Sequence, residues 1–245
     1  AEQPRDWNGK ILVPFALEAP LSGVGRLLEP TEALWYQRNF RVQSAPTGRL
    51  LLHFEAVDYK TQVWVNDQKV GEHVGGNLPF SFDITDAVKR GVNSLVLCVH
   101  DATNAEGSYQ LRGKQVIDNQ GIWYTRVSGI WQTVWLEEVP ARYIRELKID
   151  TKMDGTVTVA ADLGGAPVAG ERLRVVASLN NVPVASETGS GTVTLSIADP
   201  KLWSPASPTL YTLEVALLDS NWAPLDRVGS YTGIREVGKV QDADG

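Results

Sequence analysis

The sequence predicts an all-β protein made of two successive sandwiches. Three observations predict it. Apolar residues recur at every second position in short runs. Turn-forming clusters of Gly, Asn, Asp and Pro separate those runs. No segment keeps a helical period beyond a single turn, and many short strands at regular spacing make sandwiches or barrels.

The elements follow in order. Val13 to Gly25 is punctuated by Pro and Gly and reads as a segment wrapping a sheet edge with Phe15 and Leu17. Leu34 to Phe40 is the first firm strand. Leu50, Leu52, Phe54 and Ala56 alternate with Leu51, His53, Glu55 and Val57. Val63 and Val65 alternate with Gln62 and Trp64, and Leu95, Leu97 and Val99 with Val96, Cys98 and His100. Asn66-Asp67, Gly75-Gly76-Asn77 and Lys89 to Asn93 read as turns. Asp83 to Lys89 reads as one helical turn capped by Asp or Thr. Tyr124 to Glu137 reads as a Ser128-Gly129 turn feeding a strand. Trp131, Thr133, Trp135 and Glu137 share one face, and Ile130, Gln132, Val134 and Leu136 the other, so that strand is expected to be covered on both sides.

Val139-Pro140 is the expected seam, because Pro lacks an N–H and holds its predecessor extended. This places a first domain at 1–140 and a second at 141–238. In the second, Arg142–Ile149, Thr156–Asp162, Leu173–Leu179, Val193–Ile197, Tyr211–Leu218 and Arg227–Tyr231 read as strands. Short strands over about 100 residues fit an immunoglobulin-like sandwich.

The chain has 245 residues, enough for two medium domains, with 43% hydrophobic and 21% charged residues. The net charge of −6 opposes a nucleic-acid-coating surface. A single cysteine, Cys98, excludes an internal disulfide, and its apolar strand marks it as an inert thiol. No run approaches the length of a membrane span. The start at Ala1-Glu2-Gln3-Pro4 fits a mature terminus after signal removal, giving the expectation of a periplasmic or secreted protein, with the cytoplasm as alternative. His53, His73 and His100 lack ligand spacing, so no metal is expected. No phosphate loop or nucleophile elbow appears, and no cofactor is expected.

Several runs carry a resemblance: Trp35-Tyr36-Gln37-Arg38-Asn39-Phe40; Phe54-Glu55-Ala56-Val57-Asp58 followed by Val63-Trp64-Val65-Asn66 and Val70-Gly71; Phe82-Asp83-Ile84-Thr85; Asn93-Ser94-Leu95; and Ser128-Gly129-Ile130-Trp131-Gln132-Thr133-Val134-Trp135-Leu136. Leu202-Trp203-Ser204-Pro205, Pro208-Thr209-Leu210-Tyr211 and Gly233-Ile234-Arg235 continue it. In this order they resemble the non-catalytic front half of family 2 glycoside hydrolases, the group of β-galactosidases, β-glucuronidases and β-mannosidases. The resemblance implies a galactose-binding-like jelly roll followed by an immunoglobulin-like sandwich. Residues 239–245 then read as the start of a connector to a catalytic (β/α)8 barrel absent from these residues. It implies carbohydrate and the chain's own barrel as partners, with homo-oligomerisation an option in the longer protein. Both catalytic carboxylates of the family come from the barrel, so none is assigned here.

The stretch from Asp101 to Ser128 is the expected functional loop, since connections beyond about 12–15 residues are uncommon without a function. Arg112, Lys114 and Asp118 offer oriented bonds to sugar hydroxyls, and Trp123 and Tyr124 offer faces for stacking. The competing reading makes Trp123 and Tyr124 anchors of the loop on the sandwich, and is preferred. Galactosidases of the family place an aspartate at the positions that Trp123 and Tyr124 occupy here, so galactose specificity does not carry over directly; Asp118 is the substitute. Glu18, in the wrapping segment, is a further substrate contact. A stand-alone carbohydrate-binding module and a structural domain pair are the alternative functions.

Overall fold

The computed structural model describes residues 3–238 and divides the chain into two compact units, Ala1–Glu138 and Val139–Gly245. The expected connector at 239–245 lies outside the described residues. Both units are β throughout; the described helical structure is one 3-10 turn, Pro20–Ser22.

The first unit contains β1 (Leu34–Val42), β2 (Arg49–Phe54), β3 (Val57–Asp58), β4 (Lys60–Val65), β5 (Gln68–Val74), β6 (Phe80–Asp83), β7 (Gly91–His100), β8 (Gln115–Val116), β9 (Tyr124–Thr125), β10 (Gly129–Ile130) and β11 (Val134–Val139). One sheet runs β1-β7-β4-β5 and another β11-β2-β6, with β10 paired to β3. Register follows the alternation in the sequence. Tyr36 pairs with Leu97 and Val63 with Leu97, so the inward positions of three strands line up. Leu50, Leu52 and Phe54 supply the opposing layer, and Phe54 stacks on Phe80 at 4.9 Å. Asp83 to Lys89 forms a turn in which the Asp83 carboxylate accepts from Thr85 N and Oγ1. Burial raises the pKa of the Cys98 thiol, in keeping with an inert group.

The strand expected from Ser128 to Glu137 is broken. β10 ends at Ile130 and β11 begins at Val134, and Trp135 and Leu136 are exposed rather than covered. The break matches the gap between β2 and β3. Trp131 N donates to Ala56 O and Glu55 N to Thr133 O, so both chains step between sheets at one place. The Trp131 indole N–H donates to Gly76 O at 2.8 Å and fixes that step.

The second unit contains β12 (Tyr143–Thr151), β13 (Thr156–Gly164), β14 (Arg172–Leu179), β15 (Val182–Gly189), β16 (Thr192–Ser196), β17 (Tyr211–Leu218) and β18 (Pro224–Thr232). Its sheets run β12-β13-β16 and β15-β14-β17-β18. Val157, Val159, Leu173, Val175, Leu195, Leu213 and Val215 form the core between them. Strand β15 is the one that alternation does not announce. Pro183 interrupts it, and the fold tolerates a residue without an N–H there because β15 is an edge strand. The Leu-Trp and Gly-Ile-Arg motifs turn out to be one feature. Leu202 bridges Ile234, Trp203 N donates to Ile234 O, and the Arg235 guanidinium lies 5.1 Å from the Trp203 ring centre. A Cβ at Gly233 would lie 2.9 Å from the Trp203 side chain, so glycine is what permits this packing.

Candidate functional site

The connection from Asp101 to Ser128 is long, and its only regular structure is the parallel pair β8–β9. It has a pinned base and an exposed tip.

The base is built on Ser128. Its Oγ donates to Asp101 Oδ2 at 2.6 Å, its N donates to Glu18 Oε2 at 2.9 Å, and its carbonyl accepts from Leu17 N. Gly129 follows with φ +81°, and a Cβ there would run into the Tyr36 hydroxyl, which itself accepts from Ile130 N at 3.1 Å. The Ser-Gly pair thus joins the wrapping segment, the end of β7 and the start of β10. Asp101 Oδ1 takes three more donors: Thr103 N, Thr103 Oγ1 and Gln110 Nε2, the last at 2.7 Å. A carboxylate saturated in this way acts as a structural acceptor.

Beside it lie groups with open valence. Asp58 is buried and its Oδ1 has no hydrogen-bond partner. Burial raises its pKa from 3.8 to about 7, with Asp101 and then Glu18 adding to the rise and the Gln115 amide opposing it. Gly76 leaves room for this carboxyl, since a Cβ there would lie 2.5 Å from Asp58 Cγ. The Arg126 side chain is 0% exposed, and none of its three nitrogens has a hydrogen-bond partner. Glu18 Oε1 faces it at 3.9 Å, a buried ion pair without a hydrogen bond. Burial also raises the Tyr36 pKa.

The tip is different. Arg112 Nη1 donates to Gln115 O at 2.5 Å, and its guanidinium stands 5.7 Å from the Trp123 ring centre. Tyr124 N donates to Lys114 O, which closes the ribbon. Trp123 is 41% and Tyr124 64% exposed, and Tyr109, Leu111 and Ile122 are exposed as well. Lys114 and Asp118 are also exposed.

The structure therefore brings Arg112, Lys114, Trp123 and Tyr124 together on one ribbon and leaves Asp118 in the exposed stretch between its strands. Hydrogen bonds at Asp101, Gln110, Gln115 and Ser128 hold the base of the loop, while Trp123 and Tyr124 stand exposed. The Glu18 side chain is only 5% exposed, and one of its oxygens accepts from Ser128 N. Asp58, Asp101, Arg126 and Ser128 were not singled out from sequence. The signal present was the polar Asp58 closing an apolar run. Among the described residues no cluster of His, Cys, Asp and Glu has a metal-holding arrangement, and no helix is long and apolar enough to cross a membrane. The tip can stack on and hydrogen-bond to a polyhydroxylated ligand. The base offers no exposed pair of carboxyl groups of the kind glycoside hydrolysis uses.

Comparison with known proteins gives a consistent result. Residues 24–140 match the family model described as "Glycosyl hydrolases family 2, sugar binding domain", and residues 142–235 match the one described as "Glycosyl hydrolases family 2". A putative beta-glucuronidase of Formosa agariphila is 32% identical over 213 residues, which cover 82% of this chain and 25% of that protein. A beta-galactosidase of Thermoanaerobacter pseudethanolicus is 29% identical over 216 residues, 83% of this chain and 28% of that one. This chain thus spans about a quarter of the length of these curated relatives. The solved Lactobacillus rhamnosus beta-glucuronidase aligns with a TM-score of 0.71 at 26% identity, over 91% of this chain and 39% of its own. Two matches in chain order, spanning 24–235 and lying on two β-sandwich units, show that this chain belongs to glycoside hydrolase family 2 and carries its sugar binding domain followed by its immunoglobulin-like domain.

Proposed function

We propose that these two units are the non-catalytic front of a longer retaining β-glycosidase. They brace a catalytic barrel in cis and lend the 101–128 loop to the mouth of its active site. The observation that carries this reading is the contrast within the loop. Its base is held by hydrogen bonds, while its tip exposes Lys114, Trp123 and Tyr124, with Arg112 half-buried beside Trp123. A binding tip on rigid supports is what positioning of a substrate requires. Arg112 and Lys114 hydrogen-bond hydroxyl or carboxylate groups of a sugar, Trp123 and Tyr124 stack on its ring, and Asp118 accepts from a hydroxyl. Glu18 acts by positioning Ser128.

The test is made in the full-length protein. Trp123→Ala is expected to lower kcat/KM on an aryl β-glycoside about tenfold, equivalent to about 1.4 kcal/mol. A simultaneous measurement of thermal stability should show no change, since Trp123 is exposed. Unaltered kcat/KM for Trp123→Ala and for Arg112→Ala together would refute the reading.

A further inference from the structure

The outer face of the four-stranded sheet in the second unit has no role in the function above. The strand pairings place Thr212 opposite Tyr231, Glu214 opposite Gly229 and Ala216 opposite Arg227 on that face. Of these, Thr212, Glu214, Arg227, Gly229 and Tyr231 line an open groove of about 660 Å³. A smaller hollow of about 150 Å³ adjoins it, shares Glu214 and Arg227, and ends at Trp222. Tyr231 is 68% exposed and Trp222 55% exposed, the latter with the Arg172 guanidinium 4.8 Å from its ring centre.

Gly229 is the informative residue. It sits in the middle of β18 with no positive φ, so its backbone does not demand glycine. A Cβ there would meet nothing within 4 Å, so packing does not demand it either. A glycine inside a strand weakens the strand and marks a place where a ligand or another backbone approaches closely. Here the missing side chain opens the floor of the groove between Arg227 and Tyr231.

We propose that this face binds a neutral oligosaccharide laid across Gly229. Tyr231 supplies an aromatic face for the apolar side of a sugar ring. Arg227 and Glu214, 3.7 Å apart and both solvent-facing, present planar donor and acceptor groups to neighbouring hydroxyls. One cation and one anion cancel in the large groove, and the further cation Arg174 lines only the adjoining hollow, so the groove itself suits an uncharged ligand. A peptide is disfavoured, because strand addition uses the free edge of β18, whereas these groups stand on its face. The proposal is independent of the first unit's loop, since it concerns residues of the second unit alone.

The experiment is a titration of the isotope-labelled 245-residue chain, followed by NMR. The probes are β-linked tetrasaccharides of glucose, galactose, mannose and xylose, with a galacturonate tetrasaccharide as the acidic counterpart. At least one neutral probe is expected to shift the amides of residues 212–216 and 227–231 saturably. Tyr231→Ala should weaken that binding about tenfold. Gly229→Leu should abolish it while leaving Tm unchanged or raised, because a side chain is restored to the strand. The proposal is overturned if no neutral probe shifts those amides, if Gly229→Leu binds like the parent, or if only the acidic probe binds. A lowered Tm for Gly229→Leu overturns it too, because the glycine would then serve the fold. So does a dimer that dissociates in that variant, because the groove would then hold a second copy.

Discussion

Asp58 shows how single residues carry the behaviour of the loop base. Its folded pKa of about 7 stands above the ordinary 3.8. The folded protein therefore holds a proton that the unfolded chain releases between those values. The associated stability is full below about pH 4, is lost as pH rises towards 7, and changes no further above that. Asp58→Asn cannot titrate. The stability of the parent minus that of Asp58→Asn should therefore fall by on the order of 1 kcal/mol per pH unit across this window. Denaturant titrations of both proteins from pH 4 to 8 measure it, and parallel profiles would contradict the assignment. Ser128 is the other sensitive position. Ser128→Ala removes the 2.6 Å bond to Asp101 and leaves a buried carboxylate oxygen short of a donor, a loss of about 1–3 kcal/mol.

At the scale of elements, the Asp101 carboxylate holds the loop by its first ten residues, through Thr103 and Gln110. Asp101→Ala should free that stretch. Limited proteolysis is then expected to cut between Thr103 and Lys114 faster than in the parent, with the strands untouched; equal cleavage rates would argue that the Gln115 and Ser128 contacts suffice alone. The same contrast explains what the sequence made legible. Strands β4, β13 and β14 read directly because apolar residues alternate towards a core on one side, and β2, β7 and β17 because their apolar β-formers run between turn signals, with consecutive positions buried. Strand β15 did not, because Pro183 is a breaker everywhere except at an edge, and edge position is a property of the assembled sheet. The interruption at Trp131 to Thr133 was hidden for a related reason: the alternation continues through it, and only the opposing gap at Glu55-Ala56 breaks the ladder. The tip residues stood out by their position in a long polar loop. The base did not, because Ser128 meets Asp101 and Glu18 from 27 and 110 positions away. Pairings at such separation leave no periodic trace.

At the scale of the whole molecule, each unit owns a closed set of core residues. One centres on Phe54, Val63 and Leu97, the other on Leu173, Leu195 and Val215. A unit with its own core is expected to fold alone. Chains of residues 1–140 and 141–245 should each give a single cooperative thermal transition, as small domains do. A half that lacks near-ultraviolet dichroism or melts without cooperativity would show that its core is incomplete. The same separation bears on activity. Retaining hydrolysis needs two carboxyl groups about 5–5.5 Å apart flanking the scissile bond, one of them a proton donor. Asp101 is saturated by four donors, Glu18 is committed to Ser128 and faces Arg126, and Asp58, though proton-bearing near neutrality, is buried behind Gly76. The exposed carboxylates that remain in the loop are Glu106, in the stretch tied to Asp101, and Asp118, between the two short strands of the tip, on different parts of the loop. The 245-residue chain is therefore expected to release no nitrophenol from β-galactoside, β-glucuronide or β-mannoside substrates above the buffer rate, between pH 4 and 8. Turnover that survives in Asp118→Asn would place a catalytic pair elsewhere in these two sandwiches, whereas turnover abolished by that change would move the chemistry to the loop tip itself.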